Sequence, residues 1–348
     1  MKSKLISLLT IISIIIALLF ICNIDKTMAT PTTLADEVIS KAGNCTSWNA
    51  GFSGICKTNN HEYRYIGTNV NNYVIFNNDL YRIIGVFDSN STGVNANLVK
   101  LVRSRLIGTY SWGINNESPA LTSYSTYTNN WEISNTKVLL NEFFYNATNT
   151  STTYNSCSNW TYYWRSNTYR TMDCSNIVGY GMQTNNTRNY IQPVTWYLNG
   201  FDSNNYSKSY FYNCERGQTT GDATADGNCT SSNSGSNNST INTNIGLIYV
   251  SDYLYASSYF DSSSTAKAYS NHFGELNWLY NGWQWTITPV GSESNQAFSI
   301  LYGDTRKYTT DVPRAIIPVF YLKSDVYVTG GNGSFNDPYT IACDTCNN

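Results

Sequence analysis

The stretch Tyr73–Arg103, YVIFNNDLYRIIGVFDSNSTGVNANLVKLVR, decides how the rest of the chain can fold. It holds three β-rich runs, Tyr73–Phe76, Leu80–Phe87 and Asn97–Arg103. Asn77, Asn78 and Asp79 separate the first two, and these residue types tolerate positive φ, so the spacing predicts a tight hairpin running on into a meander. Side chains alternate along the middle run: Leu80, Arg82, Ile84 and Val86 face one way, Tyr81, Ile83, Gly85 and Phe87 the other. A strand that is apolar on both faces apart from one arginine belongs in the middle of a sheet covered on both sides. Arg82 cannot shed its charge there, so it must meet an acceptor. Glu132 and Asp252 are the expected partners, and the role expected of Arg82 and Glu132 is structural.

Around this core the chain is long, at 348 residues, and weakly charged. Asp, Glu, Lys and Arg make up 13% of it, against roughly 25% in ordinary soluble domains. The polar surface therefore comes from Asn, Ser, Thr and the 29 tyrosines. A formal net charge of -2 builds no basic field, which argues against nucleic acid as a partner. Lys2 and Lys4 followed by the apolar run Leu5–Phe20 read as an export signal, either cleaved after Ala29 or retained as an N-terminal anchor. An extracellular or cell-surface location follows, with the membrane touched only through this segment. Eight cysteines lie beyond it, and an even number in an exported chain points to disulfides. Pairing neighbours gives Cys45–Cys56, Cys157–Cys174, Cys214–Cys229 and Cys343–Cys346. The first three would close loops worth on the order of 3 kcal/mol each. The CxxC spacing of the last also occurs in redox and zinc sites, but no helix or second CxxC accompanies it.

Read in order, the chain divides into residues 1–29 (signal or anchor), a lead-in at 30–60, the main domain at 61–328 and a tail at 329–348. Leu34–Lys41 has a helical pattern. Ser134 is a good N-cap, and Leu139 with Phe143 and Leu140 with Phe144 are i, i+4 pairs, so one main helix is expected over Asn135–Tyr145. Trp131 just before it reads as a core aromatic, with a ligand platform as the alternative. Strands are expected through Asn244–Tyr255, Trp278–Pro289, Ala297–Tyr302 and Ala315–Leu322. Pro318 inside the last removes a ladder donor and suggests an edge or a bulge.

Several of these blocks carry a resemblance. Tyr81–Phe87 (YRIIGVF), Leu101–Arg103 (LVR), Trp131–Phe144 (WEISNTKVLLNEFF), Ile245–Tyr253 (IGLIYVSDY), Trp283–Pro289 (WQWTITP), Pro318–Val326 (PVFYLKSDV) and Gly331–Tyr339 (GNGSFNDPY) stand in this order. Together they resemble a family of exported bacterial domains from low-GC organisms. That family in turn is similar to the C-type-lectin-like domains related to formylglycine-generating proteins. The resemblance implies an α+β fold of C-type-lectin-like type, with a mixed, mainly antiparallel sheet and long disulfide-stapled loops. It also implies that Leu80–Phe87 and Ala315–Leu322 share one sheet. The chain departs from the family pattern at Tyr81, where Trp is usual, and at Ile317, where Arg is common.

The chemistry in the sequence is thin. His61 and His272 are too few for a histidine metal cluster, and Asp222, Asp226 and Asn228 miss the spacing of a calcium loop. No GxSxG elbow is present, and Glu132, Glu142, Asp252 and Glu275 show no paired spacing. No catalytic residue, metal or cofactor is therefore assigned. The best candidate binding surface is the aromatic loop with Trp160, Tyr162, Tyr163, Trp164 and Tyr169. Tyr and Trp give large contact area at small entropy cost, as in recognition loops. The expected function is a non-catalytic adhesion or binding module for a glycan or a surface protein. The alternatives are a secreted enzyme related to the formylglycine-generating group and a structural envelope protein.

Overall fold

Nine-residue Asp79–Phe87, here β4, is the central strand of an eight-stranded sheet. Earlier in the chain come β1 (Gly54–Lys57), β2 (Tyr63–Ile66) and β3 (Tyr73–Phe76), and β5 (Leu98–Arg103) follows. A computed structural model describes residues 31–43, 51–58, 62–113, 128–148, 150–151, 155–156, 161–164, 168–171, 175–201, 208–217, 240–258, 276–291 and 293–347. The fold is mixed α+β, with mostly antiparallel sheets and short helices. The chain divides into Met1–Thr32 and a unit spanning Thr33–Asn348. Among the described residues no helix is long and apolar enough to cross a membrane, and the expected signal or anchor lies outside them.

The hairpin read from the sequence is present. Asn77 and Asn78 sit at φ 53° and 56°, the left-handed turn that joins β3 to β4 in register, with Phe76 opposite Asp79. At its other end β4 pairs with β2 through Val86 and Gly85. A Cβ on Gly85 would stand 2.1 Å from the Tyr63 carbonyl oxygen, so the two strands can approach only because this residue has none. On its opposite edge β4 pairs with β5, and β5 pairs with Val319–Leu322. The two ends of the domain thus meet in one sheet, with β5 between them.

The last strand differs from the expectation. Ala315–Leu322 is not one edge strand but two strands in two sheets. Arg314–Ile316 joins the five-stranded sheet, pairing with β6 (Gly108–Tyr110) and with Gln284–Pro289. Val319–Leu322 lies inside the eight-stranded sheet, flanked by β5 on one side and by Ile191–Gln192 and Ile245–Gly246 on the other. Pro318 sits at the switch, where it needs no ladder donor. Its carbonyl accepts from Arg103 N at 3.0 Å, and Ile316 O accepts from Ile107 N at 2.9 Å. The β5–β6 segment and the Arg314–Leu322 segment therefore cross between the sheets side by side.

Three further expectations need correction. Leu247–Tyr255 is not strand: after Ile245–Gly246 the chain forms a helix, Val250–Ala256. All seven helix residues are buried, so the segment has no 3.6-residue alternation to betray it. Second, Asn135–Tyr145 is not a single α-helix. Ser134 caps it as expected, but it runs as α over Asn135–Val138 and as π over Leu139–Phe144. Nor is it the one main helix, since Leu34–Ser40 and Lys208–Glu215 are as long or longer than either part. Third, the lead-in and tail are built into the domain. Leu34, Ala35 and Val38 are buried in the main core, β1 extends the large sheet, and Ile75 N donates to Tyr339 O so that the tail covers the outer edge of β3. Trp131 is a core aromatic, buried edge-on against Trp112.

Charge, not only apolar packing, holds the two sheets and their helices together. Glu62, Arg64, Lys100, Glu215, Arg216 and Asp252 are all buried and form one network. Arg64 Nη1 meets Asp252 Oδ1 at 2.8 Å and its other edge meets Glu62 at 2.7 Å. Lys100 Nζ lies 2.5 Å from Asp252 Oδ2, which also accepts from Tyr249 N at the start of the helix. Glu215 takes the hydroxyls of Ser251 and of Thr288 from the second sheet. Aromatic faces enclose the cations: Phe87, Trp196, Tyr249 and Tyr321 surround Lys100 at 4.6–5.3 Å. Burial lowers the Lys100 ammonium to about 8, with Asp252 opposing the shift. Burial alone would raise the Asp252 carboxyl, but Lys100 and Arg64 bring it down to about 2.

Breaking such a network on one side leaves charges without compensation, so Asp252→Asn should lower the unfolding free energy by about 3–5 kcal/mol, read from urea curves near neutral pH. Because the folded value of Asp252 lies below its ordinary 3.8, its contribution is present above that value and is lost as the pH falls towards about 2. The gap between wild type and Asp252→Asn should accordingly narrow over that interval. An unchanged gap would show that Asp252 is not held ionised.

Candidate functional site

Where the two sheets part beside the Pro318 crossing they leave a cleft of about 450 Å³. Its walls come from β3, β4 and β5, from the Trp278–Asn281 turn, and from Phe335 in the tail. Sequence-distant segments meet here because the tail lies along β3: Tyr73 N donates to Gly333 O at 2.8 Å, which sets Phe335 edge-on against Tyr73 with centroids 5.4 Å apart. Phe335 remains 65% exposed at the rim. Trp278 is anchored by its indole N–H on the Tyr65 carbonyl at 2.8 Å and by its own N–H on Gly67 O.

Arg82 lies between these aromatics. Its guanidinium carbon stands 4.4 Å from the ring centroids of both Tyr73 and Trp278, so its plane is held from two sides. Nε donates to Asn72 Oδ1 at 2.9 Å and Nη1 to the Trp278 carbonyl at 3.0 Å. Asn72 is fixed in turn by its amide on Ile83 O. Neither Glu132 nor Asp252 is among the partners of Arg82: Asp252 is taken by Arg64 and Lys100, and Glu132 stands at the start of the Trp131–Ile133 turn. The need for an acceptor was legible in the sequence. That two neutral carbonyls would meet it was not. A guanidinium has five N–H donors, and the two bonds to Asn72 and Trp278 leave both N–H groups of Nη2 unspent on any described residue. Burial without a neighbouring carboxylate lowers Arg82 to about 10, which still leaves it charged at neutral pH.

Two further arginines line the cleft. Arg103 is buried and satisfied: Asp79 accepts from its Nε at 2.7 Å, Nη1 donates to the carbonyls of Arg105 and Leu106, and the group stacks on Tyr180 at 4.0 Å. Arg105 is largely exposed and sits 3.6 Å from the same carboxylate. One carboxylate thus serves two guanidinium groups, and the third has none among the described residues. Among the described residues lining the cleft the polar groups are cationic, hydroxyl or amide.

The candidate residues from the sequence fall elsewhere. Tyr162, Tyr163, Trp164 and Tyr169 belong to a two-stranded hairpin, Thr161–Trp164 with Thr168–Thr171, in which Tyr163 opposes Tyr169. The positions of their side chains, and Trp160 altogether, lie outside the described residues. Cys343 and Cys346 are joined as a disulfide, as neighbour pairing expects. Cys56 and Cys214 are disulfide-bonded too, while Cys45, Cys157, Cys174 and Cys229 lie outside the described residues. Sequence reasoning missed the buried charges, although Lys100 inside LVKLVR and Arg64 inside YRYI carried the same signal as Arg82, a cation within an apolar strand.

No match to the chain is found among family models, curated proteins or solved structures.

The difference between paired and unpaired arginines can be measured. Removing a cation that has no carboxylate relieves desolvation as it loses stacking, so Arg82→Gln should move the unfolding free energy by less than about 1 kcal/mol. Arg103→Gln strips Asp79 of its close partner and should cost about 3 kcal/mol or more. Equal losses in the two variants, measured by urea unfolding, would mean that Arg82 is held by an ion pair after all.

Proposed function

We propose that this protein is an exported, C-type-lectin-like binding module of the cell surface that recognises glycans through the cleft around Arg82, without catalysis. The observation that carries the reading is the composition and rigidity of that cleft. Tyr280 and Phe335 offer aromatic faces, on which the apolar faces of sugar rings stack, while Tyr73 and Trp278 hold Arg82. Arg82, Asn281, Gln284 and Ser104 offer hydrogen-bonding groups fixed on strands or on a turn. Concave sites of a few hundred Å³ that combine aromatic walls with a few placed polar groups are characteristic of small-ligand recognition. Preorganisation supports the same reading, because the Arg82 plane is already clamped and loses little freedom on binding. Export and surface display are supported by the N-terminal apolar run and by disulfides at Cys56, Cys214, Cys343 and Cys346. The meeting of both ends of the domain in one sheet supports the C-type-lectin-like reading. In this proposal the aromatic hairpin around Trp160–Tyr169 is an auxiliary recognition surface.

A glycan array probed with the full-length chain in mild detergent should give selective signals. Asn281→Trp fills the cleft from an exposed position and should abolish them with an unchanged melting temperature. Replacing Trp160 and Trp164 together by Ala should lower the signals without removing them. Array binding that survives Asn281→Trp but disappears with the tryptophan pair would move the site to the hairpin, and a blank array would end the glycan reading.

A further inference from the structure

We propose that the cleft selects a carboxylate-bearing sugar, a uronate unit, whose carboxylate is received by the unspent edge of Arg82 while its ring packs on the aromatic wall. This inference rests on the reading of the cleft as a glycan-recognition site and goes on to assign the chemical class of its ligand.

Charge is the first argument. Arg82, Arg103 and Arg105 face the cleft, while the nearby Asp79 is engaged by the latter two. The three cations of the buried network are compensated inside the protein: Arg64 and Lys100 by Asp252, and Arg216 by Glu215 at 3.7 Å. Arg82 departs from that pattern, meeting two neutral carbonyls. A guanidinium that is partly withdrawn from water and meets no carboxylate among the described residues gains most from an anion supplied by a ligand.

Shape is the second argument. Nε is spent on Asn72 and one Nη1 hydrogen on Trp278, so the donors that no described residue takes are both hydrogens of Nη2 and one of Nη1. A planar, two-oxygen acceptor uses such N–H groups best, in the bidentate arrangement that arginine forms with carboxylates. The Tyr73 and Trp278 rings each stand 4.4 Å from the guanidinium carbon and so narrow the directions from which an anion can approach it. Phe335 and Tyr280 also line the cleft and give a sugar ring a surface to lie on. Ser104 Oγ donates to Leu80 O and Asn281 Nδ2 to Ser104 O, which leaves the side-chain oxygens of both to accept from the sugar's hydroxyls, and the exposed Arg105 adds long-range attraction that salt would screen.

The test is calorimetric titration of the full-length chain with trigalacturonate and with its carboxyl-reduced counterpart, trigalactose. The acid should bind at least tenfold more tightly than the neutral trisaccharide. Arg82→Gln should remove that difference, and Arg82→Lys should restore it only in part, because an ammonium cannot make the paired contact. Arg105→Gln, on a side chain that is 73% exposed and only loosely paired with Asp79, should weaken the acid alone and flatten its salt dependence. Equal affinities for acid and neutral forms would overturn the inference while leaving glycan recognition standing. Retention of the acid preference in Arg82→Gln would overturn it as well. So would the absence of binding to either trisaccharide in a chain that gives signals on the array, or a clear preference for a sulfated trisaccharide or an acidic peptide.

Discussion

Asp252 is the group on which the architecture depends. It sits in a helix that is buried on every side, and it cannot be there as an anion unless cations come to it. Arg64 arrives from β2 and Lys100 from β5, so one carboxylate fixes the helix against two strands of the large sheet at once. The same oxygen that holds Lys100 takes the Tyr249 N–H and starts the helix. Glu62 then closes the outer side of Arg64 and accepts from the Tyr212 hydroxyl, which draws in Lys208–Glu215. Glu215, one turn further along, reaches Thr288 in the second sheet. The path from β2 to the five-stranded sheet therefore runs through a chain of hydrogen-bonded charges, where each member has a partner and none could be removed alone without leaving another exposed to a low-dielectric interior.

This arrangement explains why the sheets can part elsewhere. With the ion network fastening one side and the paired crossing at Pro318 fastening the middle, the region around Arg82 is not needed for closure and can stay open. The crossing contributes directly, because β5 leaves the large sheet at Arg103 and the returning chain enters it at Val319. The residues between, Ser104 and Ile317, line the cleft instead of a ladder. A proline at that switch suits both roles, since it removes a donor exactly where no acceptor faces it.

How much of this could be read in advance follows from the range of each interaction. The β3–β4 hairpin was legible because Asn77 and Asn78 are local signals, and the centrality of β4 because its two-sided apolarity is written within nine residues. The helix at Val250–Ala256 was not, for the opposite reason: burial on all sides erases the periodicity that distinguishes helix from strand, and the β-branched and aromatic residues before it point to strand. The split of Ala315–Leu322 depends on which sheet each half pairs with, which no residue in that segment encodes. The ion network joins Arg64 to Asp252 across 188 positions, so the sequence could show that Arg64 and Lys100 needed partners without showing which. The cleft is similar. Arg82 was visible as an anomaly in an apolar strand, while Trp278 and Phe335 reach it only through the fold.

The contrast between Arg82 and the other strand cations carries the functional argument. Lys100, Arg64 and Arg82 are each a cation among apolar neighbours in a strand, the first two fully buried and Arg82 half-buried at the cleft. A chain under pressure for stability alone would be expected to treat them alike, by supplying a carboxylate or by replacing the cation. It supplies Asp252 and Glu62 to two of them, and to the third it supplies two aromatic planes and two carbonyls, which orient a guanidinium without neutralising it. Orientation without neutralisation has no advantage for folding over an apolar side chain of the same size. It does have one for binding, because the charge stays available on an edge whose direction is already fixed. On the proposed reading, the protein keeps a charge that is costly for its own interior at the place where a ligand would complete it.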